Sequence, residues 1–230
     1  MSGPGRVAVR AVVFDLDGTL ADTERLSDLA WTEVLARRGY AATPADFAAL
    51  VGRPVAANLA HFAARVDVGD PDAFRAEVRA SFLALVEADL CLHEDAVGAV
   101  RALAADGVAV GIATSSTREH AARVLAAGGL EGLVAAVVAA EDVDRHKPDP
   151  APYLEALRRL GIPPAAASAV EDTPVGAASA RAAGAWTVAV RRAHAVPELD
   201  AAADVVVDVL TAEVLRTRPR GSGSGAPVRA

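Results

Sequence analysis

At 230 residues, 53% of them hydrophobic, the chain is long enough for one large domain or for a domain carrying a smaller insert. Its net charge is −7, it has no block of Lys and Arg, and no apolar run reaches the ~18 residues of a membrane span, so neither nucleic acid nor a membrane is an expected partner. Met1 to Arg10 lacks the apolar stretch of a secretory signal, and a lone cysteine excludes an intrachain disulfide, so a cytoplasmic location is expected; the expected assembly is a monomer or small homo-oligomer.

In chain order, the first element is an apolar run from Val7 to Phe14, broken only by Arg10. It reads as a buried parallel strand. The strand ends in Asp15-Leu16-Asp17-Gly18-Thr19-Leu20. Two carboxylates two positions apart point the same way on extended backbone, and their repulsion calls for a cation. Gly18 permits a sharp exit from the strand.

From about 22 to 90 the pattern is helical throughout. Leu26, Leu29, Ala30, Val34 and Leu35 are spaced for one helix, and Thr43-Pro44 reads as a cap with proline at the first helical position. Val55, Leu59, Phe62, Ala63 and Val66 mark another helix, and Asp70-Pro71 opens a fourth through Phe74, Val78, Phe82, Leu85 and Val86. Cys91, between two leucines, reads as a small buried hydrophobe.

Beyond it, helices and strands alternate: helix Glu94–Ala105, strand Val108–Ala113, a helix opened by a capping box at Ser116–Glu119, and strand Leu133–Val138. Helix Ala151–Leu160, strand Ala167–Val170, helix Val175–Ala183, strand Trp186–Val190 and the run Val205–Val207 follow. Such alternation means a parallel sheet covered on both faces. The fold expected is therefore α/β, a Rossmann-like parallel-sheet core built from 1–21 and 91–216, with an inserted α-helical cap at 22–90. Arg, Pro, Gly and Ser dominate 217–230, which reads as a disordered tail. Aromatic residues make up only 4%, so the core should be mostly Ala, Val and Leu.

Polar groups follow apolar residues at several strand ends: Asp15 and Asp17, Thr114 and Ser115, and Glu171 and Asp172. In an open α/β sheet these ends share one edge, where ligands bind. Lys147, the single lysine in a chain with 22 arginines, lies between two of these ends in His146-Lys147-Pro148-Asp149-Pro150. Four carboxylates, two hydroxyls and one ammonium suit a hard divalent cation together with a phosphate. The hydroxyls and backbone N–H groups before a helix would take the phosphate oxygens.

With these residues in order, the chain resembles the haloacid dehalogenase superfamily, in the branch of β-phosphoglucomutase and small sugar-phosphate phosphatases. Asp15 to Leu20, Thr114, Lys147-Pro148-Asp149-Pro150 and Glu171-Asp172-Thr173-Pro174 match its four motifs. The resemblance implies that Asp15 attacks phosphorus to form an aspartyl-phosphate, and that Asp17 protonates the leaving alkoxide and then activates water. It implies Mg²⁺ held by the Asp15 side chain, the Asp17 carbonyl, Asp172 and, through water, Glu171. Thr114, with Ser115, and Lys147 would hold phosphoryl oxygens. The implied function is a Mg²⁺-dependent phosphatase acting on a small phosphorylated metabolite of the sugar-phosphate kind.

Three other activities of the superfamily fit less well. Asp17 argues against carbon–halogen cleavage, and a cap without lysine closes the Schiff-base route of phosphonate cleavage. Ser27 stands where resembling mutases carry a cap histidine, which favours hydrolysis over the alternative, a β-phosphoglucomutase-type mutase. A phospho-ligand-binding regulator would have no use for Asp17 as a proton shuttle. Arg53, in Gly52-Arg53-Pro54, is the cap residue expected to meet the substrate, and Glu94-Asp95 replaces the Pro-Gly that often marks the return from the cap.

Overall fold

The computed structural model describes residues 5–50, 55–192 and 198–220. Eight strands are present among them: β1 Arg6–Ala8, β2 Ala11–Phe14, β3 Ala109–Ala113, β4 Ala136–Val138, β5 Ala167–Glu171, β6 Trp186–Val190, β7 Val205–Val207 and β8 Thr217–Pro219. The chain divides into two compact units, Asp22–Cys91 and the remainder.

The inserted unit holds helices α1 Thr23–Ala36, α2 Pro44–Ala48, α3 Val55–Ala63 and α4 Pro71–Asp89. Asp70 caps α4 by accepting from the N–H groups of Asp72 and Ala73, and Pro71 sits at the first helical position, where it sacrifices no hydrogen bond. The unit has its own core of Ala30, Trp31, Val34, Leu35, Leu59, Phe62, Phe74 and Val78. Trp31 stacks on Phe62 with ring centroids 5.4 Å apart, and Tyr40 and Phe47 also close on the Phe62 ring. The expected Ala, Val and Leu core therefore holds for the sheet, while the scarce aromatics gather in this helical unit. A short helical bundle needs large side chains to bury enough area. Leu29, placed by spacing on the inner face, is 39% exposed. Cys91 is also exposed, with the Arg25 guanidinium 3.8 Å from its sulfur, so it is not the buried hydrophobe expected.

The other unit is built on a six-stranded, wholly parallel sheet in the order β4-β3-β2-β5-β6-β7. Helices α5 Glu94–Ala105, α6 Arg118–Ala127, α7 Ala151–Leu160 and α8 Pro174–Ala182 link its strands, with short turns α9 Leu199–Ala202 and α10 Ala212–Leu215. This is the Rossmann-like α/β fold that the alternation predicts. On one face, Ala11, Val13, Ala113, Ala167 and Ala169 pack against Tyr153, Ala156 and Leu157 of α7 and Ala180 of α8. Small residues let these helices lie close to the sheet: a Cβ on Gly111 would come within 3.1 Å of Leu160.

Two boundaries differ from the sequence reading. The run Val7–Phe14 is two strands, because at Val9 and Arg10 the backbone changes partners and bonds to Arg216 and Ala166. Residues 217–219, read as the start of a disordered tail, form β8 and pair antiparallel with β1. Composition reports the low apolar content of that segment but not the edge its backbone can join; residues 221–230 lie outside the described part.

Candidate functional site

The sheet register gathers the motif residues at one edge. Phe14 pairs with Ile112 on one side and Val170 on the other, so Asp15 and Glu171 are the next residues out on neighbouring strands, and Thr114 follows one residue farther along, after Ala113. The Asp15 N–H still donates to Val170 at 2.9 Å, and the Thr114 N–H to Val138 at 2.9 Å, which keeps both residues in register beyond the strand ends.

Asp15, Glu171 and Asp172 form one buried group whose carboxylate oxygens lie within 4.8 Å of one another. Lys147, on the loop after β4, donates to Asp15 and, at 2.6 Å, to Glu171. Its side chain is only 7% exposed. Below it, the Tyr153 hydroxyl donates to Glu171 at 2.6 Å, and Lys147 Nζ stands 5.1 Å from that ring's centroid. Thr19 donates to Asp172 at 2.8 Å.

Two glycines are required by this packing. Gly18 has φ +83°, and a Cβ there would lie 2.1 Å from Asp172 Oδ2; a Cβ on Gly176 would lie 2.0 Å from Glu171 Oε1. Gly176 stands in the first turn of α8, whose N-cap Thr173 accepts from the Gly176 N–H. The Glu171 carboxylate thus sits against the positive end of a nine-residue helix.

The electrostatics are dominated by burial. Burial pushes the Asp15 carboxyl up to about 8, with Lys147 opposing and Glu171 and Asp17 adding to the rise. Burial alone would lower the Lys147 ammonium, but the charges of Asp15 and Glu171 outweigh it and hold the group protonated. Burial, then Glu171 and Asp15, raise the Tyr153 phenol well above its ordinary range, so it remains a donor. Three carboxylates face one ammonium. The imbalance, the all-oxygen donor set and the two Cβ-free cradles fit a hard divalent cation at Asp15, Glu171 and Asp172.

The Asp17 side chain is not in that group. Its Oδ2 accepts from Ser116 Oγ at 2.6 Å and, weakly, from Thr114 Oγ1 at 3.4 Å, and its Oδ1 lies 2.8 Å from His120 Nε2. Ser115 is exposed, and the hydroxyl that meets Asp17 is that of Ser116. The capping box expected to start at Ser116 is also shifted: Thr117 is the N-cap of α6 and accepts from the His120 N–H. Pattern reading misses Ser116, His120 and Tyr153 because a cap hydroxyl and residues inside helical stretches carry no local mark of a distant contact. A hydroxyl and an imidazole four residues apart after a strand end were the available signal. Arg53 lies outside the described residues. Asp95, where a Pro-Gly pair was expected, accepts from Arg192 at 3.0 Å while that guanidinium also donates to the Thr19 carbonyl at 2.9 Å, tying the first turn of α5 to the loop after Asp17.

Residues 12–190 match the sequence model of the haloacid dehalogenase-like hydrolases. The validoxylamine A 7'-phosphate phosphatase of Streptomyces hygroscopicus subsp. limoneus is 32% identical over 203 residues, covering 88% of this chain and 94% of its own. The fructose-1-phosphate phosphatase YqaB of Escherichia coli is 30% identical over 199 residues, 78% of this chain and 95% of its own. Among solved structures, a hydrolase of the same family from Deinococcus radiodurans R1, with bound phosphate and sodium, superposes with a TM-score of 0.74 at 30% identity, over 90% of this chain and 93% of that one.

Proposed function

This chain belongs to the haloacid dehalogenase-like hydrolases and is a phosphoric monoester hydrolase, and from that premise we propose a Mg²⁺-dependent phosphatase of small sugar phosphates working through an aspartyl-phosphate on Asp15. The observation that carries the reading is the buried group of Asp15, Glu171 and Asp172 around Lys147, with a second aspartate, Asp17, two residues beyond the first. The names of the two relatives, for validoxylamine A 7'-phosphate and fructose 1-phosphate, support a small phosphorylated substrate.

In the proposed sequence a carboxylate oxygen of Asp15 attacks phosphorus, the bond from phosphorus to the leaving oxygen breaks, and Asp17 gives its proton to that oxygen. Water then attacks the acyl phosphate while Asp17 takes a proton back, releasing phosphate and restoring the Asp15 carboxylate. Lys147 orients Asp15 and offsets charge on the phosphoryl oxygens, and Thr114 offers a hydroxyl at the same edge. A divalent cation held by Asp15, Glu171 and Asp172, with the Asp17 carbonyl, would neutralise the dianionic phosphate as the nucleophile approaches. Most of the rate enhancement then comes from positioning and charge.

The test is phosphate release from a panel of sugar phosphates and small phosphomonoesters, with Mg²⁺ or with excess EDTA, beside Asp15→Asn. Release that needs the metal and is lost in the variant is the expected result. Interconversion of sugar-phosphate isomers without release would replace the reading with a mutase, and release in EDTA would remove the metal from it.

A further inference from the structure

The β3–α6 segment holds both carboxylate oxygens of Asp17. The turn after β3 and the first turn of α6 supply Ser116 Oγ at 2.6 Å to one carboxylate oxygen and His120 Nε2 at 2.8 Å to the other. The His120 side chain is 5% exposed and meets a residue 103 positions away in sequence. Its direction follows from the helix. A side chain in a first turn leans toward the helix N-terminus, and the Thr117 cap fixes the backbone beneath it by accepting from the His120 N–H. A buried histidine packed only for volume has no need to aim a ring nitrogen at a carboxylate.

We propose that His120, with Ser116, is a positioning residue for the proton-transferring Asp17: the two set the carboxylate's orientation from the β3–α6 segment, so that protonation of the leaving oxygen depends on them. The inference rests on the reading of Asp17 given above. A carboxylate on a tight turn has free side-chain torsions. Two donors on its two oxygens remove that freedom, and small errors of placement are costly in a proton transfer.

Leaving-group dependence separates positioning from mere structural support. An alkoxide leaves only with a proton, whereas p-nitrophenolate leaves as a stable anion. The parameter kcat/KM covers binding and the first chemical step, so it isolates the protonation. The variants are His120→Leu, which cannot hydrogen bond, and His120→Gln, whose amide N–H replaces the ring donor. They are compared with wild type and Asp17→Asn in Mg²⁺, on p-nitrophenyl phosphate and on the best sugar phosphate of the panel. His120→Leu is expected to lose at least about tenfold more kcat/KM on the sugar phosphate than on the aryl ester, a fraction of the 10²- to 10⁴-fold that general acid catalysis supplies. His120→Gln should recover most of that difference, and Ser116→Ala should show a smaller loss of the same kind.

Equal losses on both substrates, or a His120→Gln no better than His120→Leu, would overturn the inference. Thermal unfolding of each variant guards against simple misfolding, and the glutamine variant keeps the test decisive if the leucine variant does not fold. An Asp17→Asn enzyme without leaving-group dependence would overturn the acid role of Asp17 and this inference with it. If Asp17→Asn keeps that dependence and the His120 variants do not, the inference alone has failed.

Discussion

The buried Lys147 ammonium donates to both Asp15 and Glu171. Replacing it by methionine keeps the bulk and removes the ammonium set against that buried carboxylate group. Stranding a buried charge costs on the order of 3–5 kcal/mol, so urea unfolding of Lys147→Met in EDTA should show a loss of about that size. The loss should shrink when Mg²⁺ is added, and unchanged stability in EDTA would refute the charge balance drawn here. It should also be smaller in acid. A carboxyl raised by burial keeps its proton in the folded chain, and as pH rises above the ordinary carboxylate range the folded state must either hold that proton or bear the charge. At this scale Asp15, Asp17, Lys147, Glu171 and Asp172 were legible because strand ends and a solitary lysine mark them. Ser116, His120 and Tyr153 were not, since each has an ordinary local role that hides a contact across more than fifteen residues.

Among the elements, the short helix α2 shows how one side chain can organise a turn. Asp46 completes a capping box with Thr43 and also meets Tyr40 and His61. The Thr43 N–H first, then His61 and the Thr43 hydroxyl, hold its carboxyl well below the ordinary carboxylate range against the opposing effect of burial. The stability it contributes is therefore fully present above its unfolded pKa and is lost as pH falls through the lower folded value. Asp46→Asn should lower the unfolding midpoint at neutral pH, and the gap to wild type should narrow on acidification. A gap that stays constant with pH would show that the carboxylate charge is not what the box uses. The Thr43-Pro44 signal for this helix is local chemistry and can be read from sequence. The one-residue shift of the α6 cap was not, because both Ser116 and Thr117 can cap a helix and the Ser116 hydroxyl is committed to Asp17, far away in sequence.

Taking the chain as a whole, the six-stranded sheet carries its chemistry at the carboxyl ends of the strands, while the β1–β8 ribbon joins residues 6–8 to 217–219 at their amino ends. Ending the chain at Arg216 removes β8 and leaves every described site residue in place. We expect the unfolding midpoint to fall by a few degrees, about what ~1 kcal/mol produces in a domain of this size. Activity of the remaining folded protein on the best sugar phosphate should be unchanged, and a fall in kcat/KM at full folding would show that the ribbon reaches the site energetically. Among the described residues no helix is long and apolar enough to cross a membrane.

The sequence by itself determined the fold class, the helical insert after the first strand, and the acidic, lysine-marked edge. These follow from hydrophobic period, capping residues and strand-end chemistry, which act over a few positions. Only the tertiary structure decided that Val7–Phe14 is two strands, that Thr217–Pro219 is ordered, and that Ser116 rather than Ser115 faces Asp17. Each of those outcomes depends on which backbone edge or side chain is brought alongside from far along the chain, and local pattern carries no record of that partner.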